Sequence, residues 1–304
     1  MPNDVAVVFV HGIFGEELSY YEPMQRALLQ RLPGLHGYVR FEPVFWAQKV
    51  RGHQRKFIQN AGTSIVDNRL RKFLIEGLGD AAAYQKTRRR EHSMYYEVHA
   101  SIDEVLGRIE KTAEDNRPLI FIGHSLGCHI ISSYAWDMNK LKQRTREDIQ
   151  SEPDDDIRSD WKRLQRVSPL RRLDTFAGFV TMGSNMPLFT FTFGPDRVFP
   201  ITAPPGRDMK PAFPGPGLPE KLLERARWLN FYSKRDLLGF PLKALNDAYR
   251  DEKRLRDIPV RTETLTSRTV PYWSHISAHT GYWTNPDVLR ETASLIREVI
   301  ETPR

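Results

Sequence analysis

The sequence predicts an α/β protein built on a doubly wound, mainly parallel sheet. The segments Val5–Val10 and Leu119–Ile122 are apolar on both faces and run straight into glycine-containing turns. Strands of this kind are typical of a parallel sheet that helices cover on both sides. Between them lie stretches in which apolar residues recur every three or four positions, which indicates helices. Strands that alternate with helices favour the α/β class, and short right-handed crossovers make the sheet parallel.

The predicted elements of the first half follow this alternation. In chain order they are a strand at Val5–Val10, a helix at Tyr20–Arg31, a strand at Tyr38–Trp46, helical spacing across residues 52–83, a helix at Tyr95–Lys111, a strand at Leu119–Ile122 and a buried helix at Cys128–Met138. Pro43 interrupts the second strand, because proline lacks the N–H group that a strand ladder uses. The first helix is expected to end at Pro33 and Gly34.

The second half continues the pattern after a polar stretch. Its predicted elements are a strand at Thr175–Met182, a strand at Trp228–Tyr232, a helix at Leu242–Leu255, a short last strand at Val260–Thr266 and a terminal helix at Pro286–Glu301. Asn285 stands directly before the terminal helix and is expected to cap it.

We expect one domain over residues 1–304, with three insertions. Residues 49–98 form a basic helical insertion, and residues 139–172 form a polar insertion with a flexible middle. Residues 185–219 contain nine prolines and five phenylalanines. That stretch is too long for an ordinary connection, and its apolar rings favour a lid-like loop.

The composition excludes several classes of protein. A single cysteine, Cys128, rules out an internal disulfide framework and a four-cysteine zinc site. The start of the chain lacks the basic residues and long apolar core of a signal peptide. No apolar run approaches the ~20 residues that span a bilayer. We therefore expect a soluble, cytoplasmic protein.

The charge is uneven along the chain. The formal net charge is +7, and residues 49–100 carry 11 basic against five acidic residues. Such a block favours an anionic substrate or a lipid surface, although an exposed, solvated helical face gives the same composition. It lacks interleaved aromatic residues and any nucleic-acid-binding motif, so we expect no nucleic acid partner.

A serine motif follows the strand at Leu119–Ile122. Residues 123–127 read Gly-His-Ser-Leu-Gly and match G-x-S-x-G, with an apolar strand before them and an apolar helix after them. The glycines allow a sharp strand-to-helix turn that lifts the hydroxyl of Ser125 out of the sheet. A serine hydroxyl becomes a nucleophile only when a base accepts its proton and a third group holds that base.

The base and the acid each have two candidates. His275 and His279 both lie beyond the last predicted strand, where a loop can reach across the carboxyl edge of the sheet, and His279 is preferred. For the acid, Asp236 lies just past the strand Trp228–Tyr232, where α/β sheets deliver functional groups. Asp196, in the Pro/Phe-rich loop, is the alternative acid. His124 adjoins the serine, and its ring is expected to point away from the hydroxyl.

Acyl transfer also needs hydrogen-bond donors aimed at the developing oxyanion. The backbone N–H of Leu126 opens the helix after Ser125 and can supply one donor. The turn His11-Gly12-Ile13-Phe14-Gly15 follows the first strand, and its glycines let the backbone N–H of Ile13 supply the second.

Four segments together resemble the α/β-hydrolase superfamily, in its lipase/esterase-like branch. They are VVFVHGIFG, FIGHSLG, NFYSKRD and AHTGYW, and they run from the first strand to about Trp283. The resemblance implies Ser125 as nucleophile, Asp236 as acid, His279 as base, and Ile13 and Leu126 as oxyanion donors. The insertions 49–98 and 139–172 lie outside it. Cys128 replaces the last glycine of the common GHSLGG run, which we expect to change helix packing rather than the serine turn.

The sequence therefore predicts a serine hydrolase that needs no metal or organic cofactor. A carboxylic ester is the expected substrate, and the phenylalanines of residues 189–213 suit an apolar acyl chain or a lipid ester. Two alternatives stay open: a binding or regulatory module of the same fold without turnover, and an acyltransferase. Acyl chain length, head group and oligomeric state do not follow from the sequence.

Overall fold

The computed structural model describes residues 2–12, 19–47, 84, 86–87, 90, 93–111, 116–190, 194–206, 208–262 and 278–303. Within these ranges the strands form one six-stranded sheet in the order β2-β1-β3-β4-β5-β6, with every neighbouring pair parallel. The strands are β1 at Val5–Val10, β2 at Val39–Val44, β3 at Leu119–His124, β4 at Phe176–Met182, β5 at Arg227–Tyr232 and β6 at Leu255–Pro259. The predicted α/β class with a parallel sheet is confirmed.

The α-helices fill the connections between these strands. They are α1 at Glu22–Gln30, α2 at Met94–Glu110, α3 at Leu126–Lys142, α4 at Arg146–Gln150, α5 at Asp155–Leu164, α6 at Met186–Thr190, α7 at Glu220–Arg225, α8 at Asp247–Arg250 and α9 at Pro286–Glu301. Asn285 caps α9 as predicted, since its side chain accepts hydrogen bonds from the N–H groups of Asp287 and Val288. In the part of the chain that the structure describes, none of the helices has the length and apolar composition that crossing a bilayer requires.

The sheet is buried on both faces. Alternate residues of a strand point to opposite sides, so the unbroken apolar runs of β1 and β3 need cover on each side. One side packs against α2 and α3, and the other against α1 and α9. All six residues of β1 are fully buried, and so are the six of β3. This explains why these two strands were the clearest in the sequence.

Pro43 lies inside β2, which is an edge strand. Among the described strands β2 pairs with β1 alone, and Pro43 stands opposite Phe9 in that ladder. A strand paired on one side can hold a proline whose missing N–H faces away from its neighbour. The predicted strand at Tyr38–Trp46 therefore exists, shortened at both ends.

Two predicted elements near the end of the sheet are wrong. The helix expected over Leu242–Leu255 is a single 3-10 turn at Leu242–Ala244 followed by the one-turn helix α8. The side chain of Asn246 accepts the N–H of Tyr249 and starts α8 afresh, so a continuous helix cannot form. Within the described ranges the last strand is β6, which ends at Pro259; residues 260–262 of the predicted strand Val260–Thr266 lie outside any strand, and residues 263–266 lie outside the described ranges. β6 was missed because it is an edge strand with polar residues and no apolar run.

The Pro/Phe-rich stretch 185–219 carries the chain from the end of β4 back to the start of β5. Phe213 is fully buried and packs 4.7 Å from Phe176 at the start of β4, centroid to centroid. The N–H of Gly215 donates to the carbonyl of Phe176. This part of the stretch is core, at the amino edge of the sheet. Phe191 and Phe193 lie outside the described residues, so the lid itself stays a prediction.

Most of the basic insertion 49–98 lies outside the described residues, and its division from the rest of the chain stays a prediction. Two of its basic side chains are described, and both are paired. Lys86 bonds both carboxylate oxygens of Asp137 on α3 at 2.8 Å, and Arg90 pairs with Asp160 of α5 at 2.5 Å. These two cations therefore anchor the end of the basic insertion to α3 and to the polar insertion.

Candidate active site

Ser125 occupies a tight turn between β3 and α3. Its backbone has φ 54° and ψ −125°, a left-handed conformation that non-glycine residues rarely adopt. The N–H of Ser125 donates to the carbonyl of Met182, and its own carbonyl accepts the N–H of Cys128. The turn is thus fixed to the end of β4 on one side and to the first turn of α3 on the other.

Glycines give this turn the space that it needs. A Cβ on Gly127 would lie 2.2 Å from the carbonyl oxygen of Val10, so α3 approaches the end of β1 only without a side chain there. A Cβ on Gly12 would lie 2.4 Å from the Cβ of Ser125 and 3.0 Å from its Oγ. Gly12, just after β1, therefore lies directly against the serine side chain.

Asp236 and His279 form a buried hydrogen-bonded pair at the same edge of the sheet. His279 Nδ1 lies 2.9 Å from Oδ1 and 3.0 Å from Oδ2 of Asp236. Ser125, His279 and Asp236 are 1%, 2% and 6% exposed. Because a carboxylate only accepts, the proton of a neutral imidazole is on Nδ1 and the lone pair is on Nε2.

Two further groups hold the carboxylate of Asp236. The N–H of Leu238 donates to Oδ1 at 2.9 Å, and the hydroxyl of Tyr282 donates to Oδ2 at 2.8 Å. Burial by itself would raise the pKa of Asp236, but the facing His279 and these hydrogen bonds outweigh burial and hold the pKa below its usual range. The carboxyl group is therefore ionised at neutral pH.

His279 also contacts the residue before Ser125 and the glycine that follows β4. The ring of His124 lies 4.9 Å from the ring of His279, and His124 Nε2 is 2.6 Å from the backbone carbonyl of His279. A Cβ on Gly183, which follows the strand residue bonded to Ser125, would lie 3.3 Å from His279 Cε1. Burial, with His279 next to it, lowers the pKa of His124 to about 3, so the ring is neutral and donates through Nε2.

Two buried polar atoms at this site lack a hydrogen-bond partner within the described part of the chain, Ser125 Oγ and His279 Nε2. These are the two atoms between which a serine hydrolase transfers a proton. Cys128, one turn into α3, is not a rival nucleophile, because burial raises the pKa of its thiol to about 12.

The other sequence candidates fall elsewhere. Asp196 is exposed on the 3-10 turn Pro195–Arg197, and the carboxylate that bonds His279 is that of Asp236. Ile13 and His275 lie outside the described residues. Leu126 is the first residue of α3, where backbone N–H groups have no acceptor inside the helix. Among the described residues no cluster of histidine, cysteine and acidic side chains is arranged to hold a metal ion.

Two residues of the site gave no clear signal in the sequence. Tyr282 lies three positions after His279, yet a tyrosine near a candidate base is unremarkable without knowing what its hydroxyl touches. His124 was expected only to point away from the serine. Its place on the same face of β3 as Ile122 is what turns the ring toward the segment that carries His279.

The six-stranded parallel sheet, with helices on both faces and a serine turn after β3, is an α/β architecture consistent with the α/β-hydrolase fold. No protein family model and no curated protein sequence matches this chain. Among solved structures, a metagenomic carboxyl esterase is similar at 12% sequence identity, over 98% of this chain and 77% of that chain, with a TM-score of 0.27. A TM-score this low does not establish a shared fold, so the fold assignment rests on the order and direction of the strands.

Proposed function

We propose that this protein is a serine hydrolase that cleaves a carboxylic ester through an acyl-enzyme intermediate. The observation that carries the proposal is the buried Asp236–His279 pair, whose free Nε2 lies at the sheet edge that holds Ser125. An imidazole held this way is the base that a serine hydroxyl needs.

In the proposed reaction, Ser125 Oγ attacks the ester carbonyl carbon while His279 Nε2 takes the hydroxyl proton. The carbonyl π electrons move to the oxygen, and the N–H of Leu126 stabilises that oxyanion together with the proposed second donor, Ile13. The intermediate collapses by breaking the bond to the alkoxy group, which leaves as an alcohol with the proton from His279. Water then attacks the acyl-enzyme by the same route and releases the acid and free Ser125.

Asp236 has two tasks in this reaction. Its carboxylate keeps the proton of neutral His279 on Nδ1, which leaves Nε2 free to accept from Ser125. It also stabilises the imidazolium that forms when His279 takes the proton. The lowered pKa of Asp236 supports both tasks, because the group keeps its charge across the neutral range.

The aromatic surroundings support an ester with an apolar acyl group. His129 lies one helical turn after Ser125 on α3 and stacks on Phe189 of α6, with centroids 4.1 Å apart. A stacked aromatic pair one helical turn from the proposed nucleophile suits a hydrocarbon chain rather than a charged one.

Hydrolysis of short-chain p-nitrophenyl esters tests the proposal. We expect wild-type turnover that falls at least ~10³-fold in Ser125→Ala and in His279→Ala, because each removes a member of one catalytic unit. The matched control is His275→Ala, which removes the other candidate base and is expected to stay within about threefold of wild type.

Two outcomes would contradict the assignment. Loss of activity in His275→Ala but not in His279→Ala would move the base to residue 275. A folded wild-type protein that hydrolyses none of the esters over a range of acyl lengths would favour the binding module instead.

A further inference from the structure

A tyrosine outside the proposed triad is joined to its acid. Tyr282 lies on the 3-10 helix Gly281–Thr284, and its side chain is fully buried. Its hydroxyl is 2.8 Å from Asp236 Oδ2, on the oxygen that the N–H of Leu238 does not reach. The phenol therefore completes the set of donors around the carboxylate.

The direction of this hydrogen bond is fixed by a second one. The N–H of Ser233 donates to the hydroxyl oxygen of Tyr282 at 2.9 Å. An N–H group can only donate, so the single proton of the phenol remains for Asp236. Tyr282 thus links the carboxylate to the backbone just after β5, and it does so as a donor.

Two glycines next to this contact leave no room for a side chain. A Cβ on Gly239 would lie 2.3 Å from Asp236 Oδ2 and 2.9 Å from the hydroxyl of Tyr282. A Cβ on Gly183 would lie 2.8 Å from Tyr282 Cε2 and 2.9 Å from Asp236 Oδ2. The carboxylate and the phenol are therefore enclosed on both sides by backbone, which leaves little freedom for either group to move.

We propose that Tyr282 is a positioning residue of the hydrolase, which orients the carboxylate of Asp236 toward His279 Nδ1 and withdraws part of its negative charge. The inference rests on the proposed function and adds to it a fourth side chain that acts through Asp236. Without the hydroxyl, Oδ2 loses the phenol donor and keeps only the longer contact with His279 Nδ1, and the N–H of Ser233 loses its acceptor. The carboxylate is then free to rotate, and the charge facing His279 is larger.

The electrostatic setting keeps Tyr282 a donor. Burial, and then the charge of Asp236, raise the pKa of its phenol well above the ordinary value. Among the residues that the structure describes, the titratable groups that face this cluster are His279, His124 and Cys128, of which His124 is neutral and Cys128 stays a thiol at neutral pH. Lys234 and Arg235, which directly precede Asp236, are exposed to solvent.

The first test is Tyr282→Phe, with Tyr249→Phe as the matched control. Tyr249 is also buried and also donates its hydroxyl, to the carbonyl of Phe199, but it lies outside the site. We expect Tyr282→Phe to lower kcat about tenfold with KM within twofold of wild type. We also expect the acid limb of its kcat/KM profile to move to higher pH, because the unshielded carboxylate holds a proton on His279 more strongly. Tyr249→Phe is expected to leave kcat, KM and the acid limb unchanged.

A double-mutant comparison separates positioning from stability. If Tyr282 acts through Asp236, then Tyr282→Phe costs less than twofold in kcat when Asp236 is already alanine. An equal loss in both backgrounds would overturn the inference and leave Tyr282 with a structural role.

Site-specific incorporation of 3-fluorotyrosine at position 282 keeps the bulk and the hydroxyl while strengthening the donor, so it does not depend on folding of the phenylalanine variant.

With 3-fluorotyrosine the acid limb is expected to move to lower pH, opposite to Tyr282→Phe. No shift, or a shift in the same direction as Tyr282→Phe, would contradict the inference. A wild-type protein without ester turnover would instead refute the proposed function. An active wild type with a Tyr282→Phe variant indistinguishable from it would refute only the role of Tyr282.

Discussion

Ser125 stores backbone strain at the point where the chemistry is proposed to occur. A non-glycine residue in its conformation costs on the order of 1–3 kcal/mol, which the surrounding structure must offset. The hydrogen bond from its N–H to Met182 and the bond that its carbonyl accepts from Cys128 hold the turn in place. The close approach of Gly12 then sets the direction of the side chain.

Replacing Gly12 by alanine tests how closely this turn is fitted. The new methyl group would overlap Ser125 Cβ at 2.4 Å, so either the serine or the turn after β1 must shift. A displacement of about 1 Å at a reacting atom lowers turnover by ~100-fold, and we expect a kcat loss of that size for Gly12→Ala.

Gly37→Ala is the matched control, because a Cβ at that glycine meets no atom within 4 Å. It is expected to leave ester hydrolysis unchanged. Activity of Gly12→Ala within threefold of wild type, measured on folded protein, would show that the turn after β1 does not restrict Ser125.

Individual residues were predictable where a local pattern identifies them. Ser125 and Asp236 follow apolar strands, and parallel strands end at a common edge, so the sequence pointed to both. No local pattern distinguishes His279 from His275, so the sequence supports only a preference for His279. Tyr282 and the bond from His124 were out of reach, because each depends on which residues of distant segments meet in space.

At the scale of elements, a buried polar chain joins β4, β5 and β6 beneath the acid. Trp228 Nε1 donates to Thr181 Oγ1 at 3.1 Å, and that hydroxyl donates to Asn230 Oδ1 at 2.8 Å. Asn230 Nδ2 donates to Asp257 and to the carbonyl of Phe240. The N–H of Phe240 in turn donates to the carbonyl of Ser184. The strands and the turn that carries Asp236 are thus one connected unit.

Asn230→Ala is expected to weaken both stability and catalysis. It removes the acceptor that lies 2.8 Å from the hydroxyl of Thr181 and the side-chain donor to the carbonyl of Phe240. Losing such buried hydrogen bonds costs about 1–3 kcal/mol in unfolding free energy. The loop from Asp236 to Phe240 loses its anchor to β5, so we expect kcat to fall about fivefold. Chemical denaturation and ester kinetics measure the two effects.

Asn139→Ala provides the comparison. Asn139 is also buried and bonds the carbonyl of Lys210, near the far end of α3. It is expected to cost a similar unfolding free energy while kcat stays at the wild-type value. Equal kcat in the two variants would show that the polar chain stabilises the sheet without positioning the acid.

Elements buried on both faces were predictable, and edge elements were not. β1 and β3 follow from their unbroken apolar runs. β6 has exposed polar positions. Its pairing with β5 is fixed by Asp257, which accepts hydrogen bonds from Asn230 and from the N–H groups of Leu242 and Lys243. Such contacts come from residues ten or more positions away, so no local period predicts them.

The whole molecule brings the site together through its strand order. β3, β4 and β5 are neighbours, and their carboxyl ends carry Ser125, Gly183 and the turn to Asp236. The segment directly before α9 lies at this edge and brings His279 into contact with His124, Gly183 and Asp236. The class of fold followed from the alternation of elements. The path of residues 185–219 did not, because their packing at the amino edge of the sheet depends on Phe213 meeting Phe176.

The central claim is that Ser125 is a nucleophile activated by His279 and Asp236, and a fluorophosphonate probe tests it most directly. We predict that intact-mass and peptide mass spectrometry of the labelled wild-type protein will show one adduct, located on Ser125. The adduct should be lost in Ser125→Ala and should form at least ~10³-fold more slowly in His279→Ala. An adduct on another residue, or a folded wild-type protein that takes up no probe, would contradict the claim.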